Sequence, residues 1–164
     1  MFTKVIEDLK GYAEPNRIEK LAKYFQVAPG GYGNGDKFMG VRVPNQRAVS
    51  KKYFKIISLE DLSKLMSSEF HEQRLTGVFM LVLKFEKEKD EVRRKELVGF
   101  YLNHLEYMNN WDLVDSSAYK ILGVYLRDKN AQILYDFAYS DDLWKQRISI
   151  VATYEFIRHK KYEH

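Results

Sequence analysis

The sequence predicts an all-α protein, an α-solenoid of two-helix repeats behind an N-terminal helical cap. Three observations carry this. Apolar residues recur at helical spacing along most of the chain, and no stretch alternates convincingly as a strand would. Only three prolines and nine glycines interrupt 164 residues, which leaves room for long helices. The chain also echoes itself. Glu72-Gln73-Arg74-Leu75-Thr76-Gly77-Val78 and Lys145-Gln146-Arg147-Ile148-Ser149-Ile150-Val151 share Gln-Arg, an aliphatic residue and then a hydroxyl. Each copy opens the second helix of a pair. A third such helix, starting at Trp111, lies midway, giving a period of about 37 residues, within the range of helical hairpins. One domain is expected over residues 1–164, with the cap over about 1–56 and the repeats over about 57–164.

Each element has its own signal. Residues 2–13 read as an amphipathic helix, with Phe2, Val5, Ile6, Leu9 and Tyr12 at helical spacing. Pro15 suits the first turn of a second helix, which turns Ile18, Leu21, Ala22 and Phe25 inward. Residues 28–36 form the one clear loop. Its four glycines lack a following Gly-Lys-Ser/Thr, so it reads as a mobile connection and not a P-loop. Pro44 opens a helix carrying Ala48, Val49, Tyr53 and Phe54. Ser58 caps the next one, with Leu59, Leu62 and Leu65 inside. Longer helices are expected over 69–87, 89–107 and 111 to about 127. A short one follows from Asn130 or Ala131 to about Tyr139, and Ser140 caps the last, which runs to about Lys160.

Composition narrows the chemistry. Hydrophobic residues make up 45% and charged residues 30%, an ordinary globular balance. The net charge of +4 suits nucleic acid without demanding it. There is no cysteine, hence no disulfide and no thiolate metal site. The four histidines, His71, His104, His159 and His164, show no metal-ligand spacing, and no cofactor is implied. No signal peptide and no membrane-spanning run are visible, which favours a cytoplasmic protein.

The stretch Asn110-Trp111-Asp112-Leu113-Val114-Asp115 carries the sharpest local signal. Asn110 can cap the helix, and acids in the first turn suit its dipole. At about 100° per residue, Trp111, Val114, Ala118, Ile121, Leu122 and Tyr125 form one apolar stripe. Asp115 falls on the shoulder of that stripe, about 40° from Trp111. A partly desolvated carboxylate there needs a reason. A bridge to Arg147 between repeats supplies one, and a functional acid supplies the other. In a solenoid the second helices line one face. Glu72 and Arg74, then Trp111, Asp112 and Asp115, then Trp144 and Arg147 would share one rim. Arg42, Arg47, Lys51, Lys52 and Lys55 make the most basic stretch of the N-terminal third.

Three segments together resemble a known family, the AlkD-type DNA alkylation-repair glycosylases built of HEAT-like repeats. They are Lys37-Phe38-Met39-Gly40-Val41-Arg42-Val43-Pro44-Asn45-Gln46-Arg47, similar to the family's F-x-G-[IV]-x-x-P-x-x-R segment; the Trp111–Asp115 stretch, similar to W-D-x-V-D; and Trp144-Lys145-Gln146-Arg147, similar to W-x-x-R. The resemblance implies excision of cationic alkylated purines, such as 3-methyladenine or 7-methylguanine, from double-stranded DNA without metal or cofactor. It gives Asp115 the catalytic role, Trp111 an aromatic contact to the lesion, and Arg147 a backbone contact beside it. Arg42, Arg47, Lys51, Lys52 and Arg74 are then expected to hold phosphates. The family pattern continues past the third motif with a further tryptophan, whereas this chain ends at His164, and Asn110 stands where many relatives carry an aromatic residue. A non-catalytic nucleic-acid-binding module and a protein-interaction scaffold are the alternative expectations.

Overall fold

The computed structural model describes residues 1–161; His164 lies outside them. The described residues are all-α. They contain no strand, only an isolated parallel bridge between Lys37 and Phe70. No helix among them is long and apolar enough to cross a membrane. The chain divides into two compact units, Met1–Lys84 and Phe85–His164.

The first unit holds α1 (Phe2–Gly11), a 3-10 turn (Pro15–Arg17), α2 (Ile18–Tyr24), α3 (Val43–Tyr53), α4 (Leu59–Met66) and most of α5 (His71–Lys87). α1 packs on α3 and α4, burying Val5 and Leu9 with Val49, Leu62, Leu65 and Met66. The expected cap of α4 is present: the Ser58 hydroxyl accepts the Asp61 N–H at 3.1 Å. Ahead of α3 the chain passes so close to Glu14 that a Cβ on Gly40 would lie 2.1 Å from the Glu14 carbonyl oxygen. Gly40 also has φ +82, so no other residue fits.

The second unit holds the end of α5, α6 (Glu91–Leu102), a 3-10 turn (Leu105–Tyr107), α7 (Trp111–Asp115), a π-helical turn (Tyr119–Gly123), α8 (Val124–Leu126), α9 (Gln132–Ala138) and α10 (Leu143–Arg158). α10 packs on α7, the π turn and α9. Two expectations are corrected here. α6 stops at Leu102, short of residue 107. The His104 ring Nδ1 sits 2.7 Å from the Phe100 carbonyl, which an α-helix would give to its own backbone, and the His104 N–H turns to Tyr101 instead. The cap of α10 is Asp142, whose carboxylate accepts the N–H of Trp144 at 2.8 Å and of Lys145 at 3.1 Å. The Ser140 hydroxyl donates back to Phe137 and closes α9.

A third correction bears on function. The helix expected from Trp111 to about residue 127 is broken. At the break the Ser117 hydroxyl donates to the Leu113 carbonyl at 2.7 Å, and the Ser117 N–H tightens to Val114. The buried Tyr101 hydroxyl completes the network at 3.0 Å from Ser117. Burial holds the Tyr101 phenol well above its ordinary range, with the Ser117 bond opposing weakly. After this tight step the chain widens into the π turn, which shifts the phase of everything beyond it. Tyr125, expected inside, is therefore half-buried while Leu126 is buried; ahead of the break Trp111 is also half-buried and Leu113 buried. The π turn lies hard against α10: a Cβ on Gly123 would meet the Ala152 carbonyl oxygen at 2.5 Å.

Candidate functional site

Trp111, Asp115 and Arg147 belong to the second unit and come from two elements. Asn110 fixes the start of α7, its side-chain oxygen accepting the Trp111 N–H at 2.9 Å. Asp115 closes that five-residue helix. On α10 the Gln146 amide donates to the Ser140 carbonyl at 2.6 Å and pins the first turn, from which Arg147 projects. The Arg147 guanidinium grips the Asp115 carboxylate with both arms, Nε to Oδ1 at 2.8 Å and Nη2 to Oδ2 at 2.6 Å. This fork-on-fork geometry is the most directional form of a charged hydrogen bond. The bond to Asp115 raises the Arg147 pKa above its ordinary value, against a smaller effect of burial.

The pair is open. The Arg147 and Asp115 side chains keep 42% and 37% of their exposure. Asp115 is thus less enclosed than its place on the apolar shoulder suggests; it is the last residue of α7. At such exposure water screens the attraction, and the pair contributes about 0–1 kcal/mol to stability. It fixes an oriented anion at the surface without burying it. Trp111 and Trp144, at the starts of the same two helices, are half-buried. Further along, Tyr119 of the π turn meets Tyr154 of α10 edge-to-face, ring centres 5.8 Å apart.

The family model for DNA alkylation repair enzymes matches residues 5–164. This chain belongs to that family. Comparison with curated proteins and with solved structures gives no match.

The cations expected to serve this DNA alkylation repair protein are placed unequally. Arg74 is not on a rim. It is buried in the first unit, 5% exposed, donating to the Asp36 carboxylate at 2.7 Å and to the Ser68 carbonyl at 2.7 Å. The Asp36 side chain, at the end of the glycine-rich loop, is 4% exposed and also touches the His71 ring at 3.2 Å. Arg74 therefore ties that loop to α5 and leaves no surface for a phosphate. Glu72, expected on the same rim, is also inside, its carboxylate accepting the N–H groups of Met39, Gly40 and Val41 at 3.0, 2.8 and 3.2 Å.

The other four are exposed. Arg42 forks onto Glu14 at 2.6 and 2.9 Å, and Lys52 bonds Asp8 at 2.7 Å. The Arg47 guanidinium lies 4.0 Å over the Phe79 ring, which leaves its edge free to donate. Lys51 has no ion pair among the described residues. Arg47 and Lys51 lie one turn apart on α3, and Lys55 follows in the turn just after it.

Sequence reasoning misses the Tyr101–Ser117 network behind Asp115 and the Tyr119–Tyr154 contact. The second has a signal: Tyr154 stands seven residues after Arg147, two turns along the same helix face.

Proposed function

We propose that this protein is an AlkD-type DNA glycosylase, with its helix pairs acting as HEAT-like repeats. Its substrate would be duplex DNA carrying cationic alkylated purines, such as 3-methyladenine or 7-methylguanine. The observation that supports this best is the open Asp115–Arg147 fork beside Trp111, in a chain that belongs to a DNA alkylation repair family.

Alkylation at N3 or N7 puts a positive charge on the base and weakens the bond to the sugar. As that bond breaks, the base leaves neutral and the sugar becomes cationic. Water then adds to the sugar carbon and loses a proton. The demand on the protein is a fixed negative charge near the sugar, and preorganised charge of this kind is often the main source of an enzyme's rate enhancement. Asp115 supplies it and can orient the water. In the free protein Arg147 holds the carboxylate in place. With DNA bound, the guanidinium passes to a backbone phosphate and leaves Asp115 facing the sugar. Trp111 offers an indole face to the cationic base. Arg42, Arg47, Lys51 and Lys52 bind phosphates, Arg42 and Lys52 after leaving their carboxylate partners.

The test is release of 3-methyladenine or 7-methylguanine from methylated duplex DNA by the parent and by Asp115→Asn. The substitution keeps shape and removes charge. Release is expected to fall about 10- to 1,000-fold with duplex affinity nearly unchanged. The melting temperature should barely move, because a pair this open contributes about 1 kcal/mol at most. A folded variant that excises at the parent rate would leave a DNA-binding module as the function.

A further inference from the structure

The second unit contains a cavity of about 320 Å³ that the chemistry above does not use. Arg94, Lys120 and Arg158 enter it from three elements, with Glu86 and Glu155 as the carboxylates on its wall. All three cations are loosely held. Arg94 is 3.3 Å from Glu91, Arg158 is 3.4 Å from Glu155, and Lys120 is 3.9 Å from Glu86. The shortest pairs elsewhere in this chain close to 2.6–2.8 Å, as the strongest charged hydrogen bonds do. Each cation instead leans on a ring: Arg94 at 4.4 Å over Phe85, Lys120 at 5.7 Å over Tyr119 and Arg158 at 5.9 Å over Tyr154. The Arg94 Nε is buried with no hydrogen-bond partner among the described residues.

The carboxylates do not balance this. Glu155 is only 6% exposed and is already engaged by Arg127 at 3.0 Å and His159 at 2.9 Å. Glu86 is alone against Lys120. Three cations with spare donors around one cavity need an anion with several oxygens. Two guanidinium forks and an ammonium suit phosphate better than a carboxylate.

The position says which phosphate. On α10, Arg147, Tyr154 and Arg158 lie within about 40° of one another, a single stripe along the helix. Arg158 is about 16 Å beyond Arg147 at 1.5 Å per residue. One DNA strand carries a phosphate every 3.4 Å of axis, so that interval covers about five of them. We infer that Arg94, Lys120 and Arg158 form a seat for a backbone phosphate of the same DNA that reaches Asp115 and Arg147, several nucleotides away. The inference rests on the DNA-binding part of the proposal above and not on its catalytic part.

The test uses the full chain with Lys120→Gln and Arg158→Gln together. These side chains keep 31% and 54% of their exposure, so the fold should survive, and a circular dichroism melt checks it. Binding to undamaged duplex is measured across a salt series. The double variant should bind more weakly, and its log–log salt slope should flatten by about two, near 0.9 for each cation removed from the phosphates; Lys120→Gln alone should give half of that. In a second arm, inorganic phosphate at matched ionic strength should raise the parent's melting temperature and not the variant's. An unchanged slope would overturn the seat. A phosphate-dependent melt with an unchanged slope would assign the cavity to a free phosphate and overturn its place on DNA. A flattened slope in a protein whose parent form releases no alkylated base would leave the seat standing and remove the glycosylase reading alone.

Discussion

The same few residues occur twice in this chain with opposite results. In Gln73-Arg74 and in Gln146-Arg147 the glutamine binds a serine a few residues earlier, Ser68 in one case and Ser140 in the other. The hydroxyl that follows donates back into its own helix, from Thr76 to Glu72 and from Ser149 to Gln146. The arginine pairs with an aspartate from outside its helix, Asp36 or Asp115. Arg74 is sealed in by its loop, whereas Arg147 stands in water. The carboxylates diverge in the same way, with Glu72 occupied by three backbone N–H groups and Asp115 by one removable guanidinium. One local arrangement thus serves as a structural tie in the first unit and as an accessible charged pair in the second. What decides is whether the partner aspartate comes from a covering loop or from the end of a short helix.

The largest expected effect follows from that contrast. Arg74→Ala takes the guanidinium away from a buried Asp36 and should lower stability by about 3–5 kcal/mol. Arg147→Ala should cost about 0–1 kcal/mol. Urea melts of the two variants side by side measure the difference, and equal losses would erase the distinction between the units. Next comes Glu72→Gln, which keeps an acceptor but gives up the charge on three hydrogen bonds. A loss of about 1–3 kcal/mol is expected, read as earlier urea unfolding with duplex affinity unchanged at low denaturant.

The smallest effect concerns the exposed pairs of the first unit. Lys52 beside Asp8, and Arg42 beside Glu14, hold those carboxylates below their ordinary values. Carboxylates depressed in the folded state stabilise it above their unfolded pKa, and that contribution disappears as pH falls through the folded pKa. The two pairs should therefore weaken below about pH 4. NMR titration of the carboxyl carbons would follow this directly, and Lys52→Ala should move the Asp8 midpoint upward. An unmoved midpoint would separate Asp8 from Lys52.

The helical class, the order of the elements and the Ser58 cap are all legible in the sequence, because each depends on residues within one or two turns. The Asp115–Arg147 bridge is legible as one of two alternatives, since the helical pattern places both residues on the shoulders of apolar stripes. The corrected expectations share a different cause. Arg74 reads as a rim cation because its burial depends on Asp36, 38 residues earlier, at the end of a loop whose glycines suggest only mobility. The straight helix from Trp111 fails because Ser117 has two possible partners for its hydroxyl. One contact of that hydroxyl is Tyr101, 16 residues away, which no local pattern reveals. Side chains that can bond either to their own backbone or to something distant are where a periodic pattern stops being informative.

The π turn at Tyr119–Gly123 has a genealogical consequence. It accommodates one residue more than an α-turn of the same height. A relative with one codon fewer there could keep both flanks in place and close the helix into an uninterrupted α-ladder. Such a relative would match this chain only across a single-residue gap, placed after the aspartate. An ungapped alignment would pair every position beyond the turn, Arg147 included, with the wrong neighbour, although Asp115 itself would still be matched correctly.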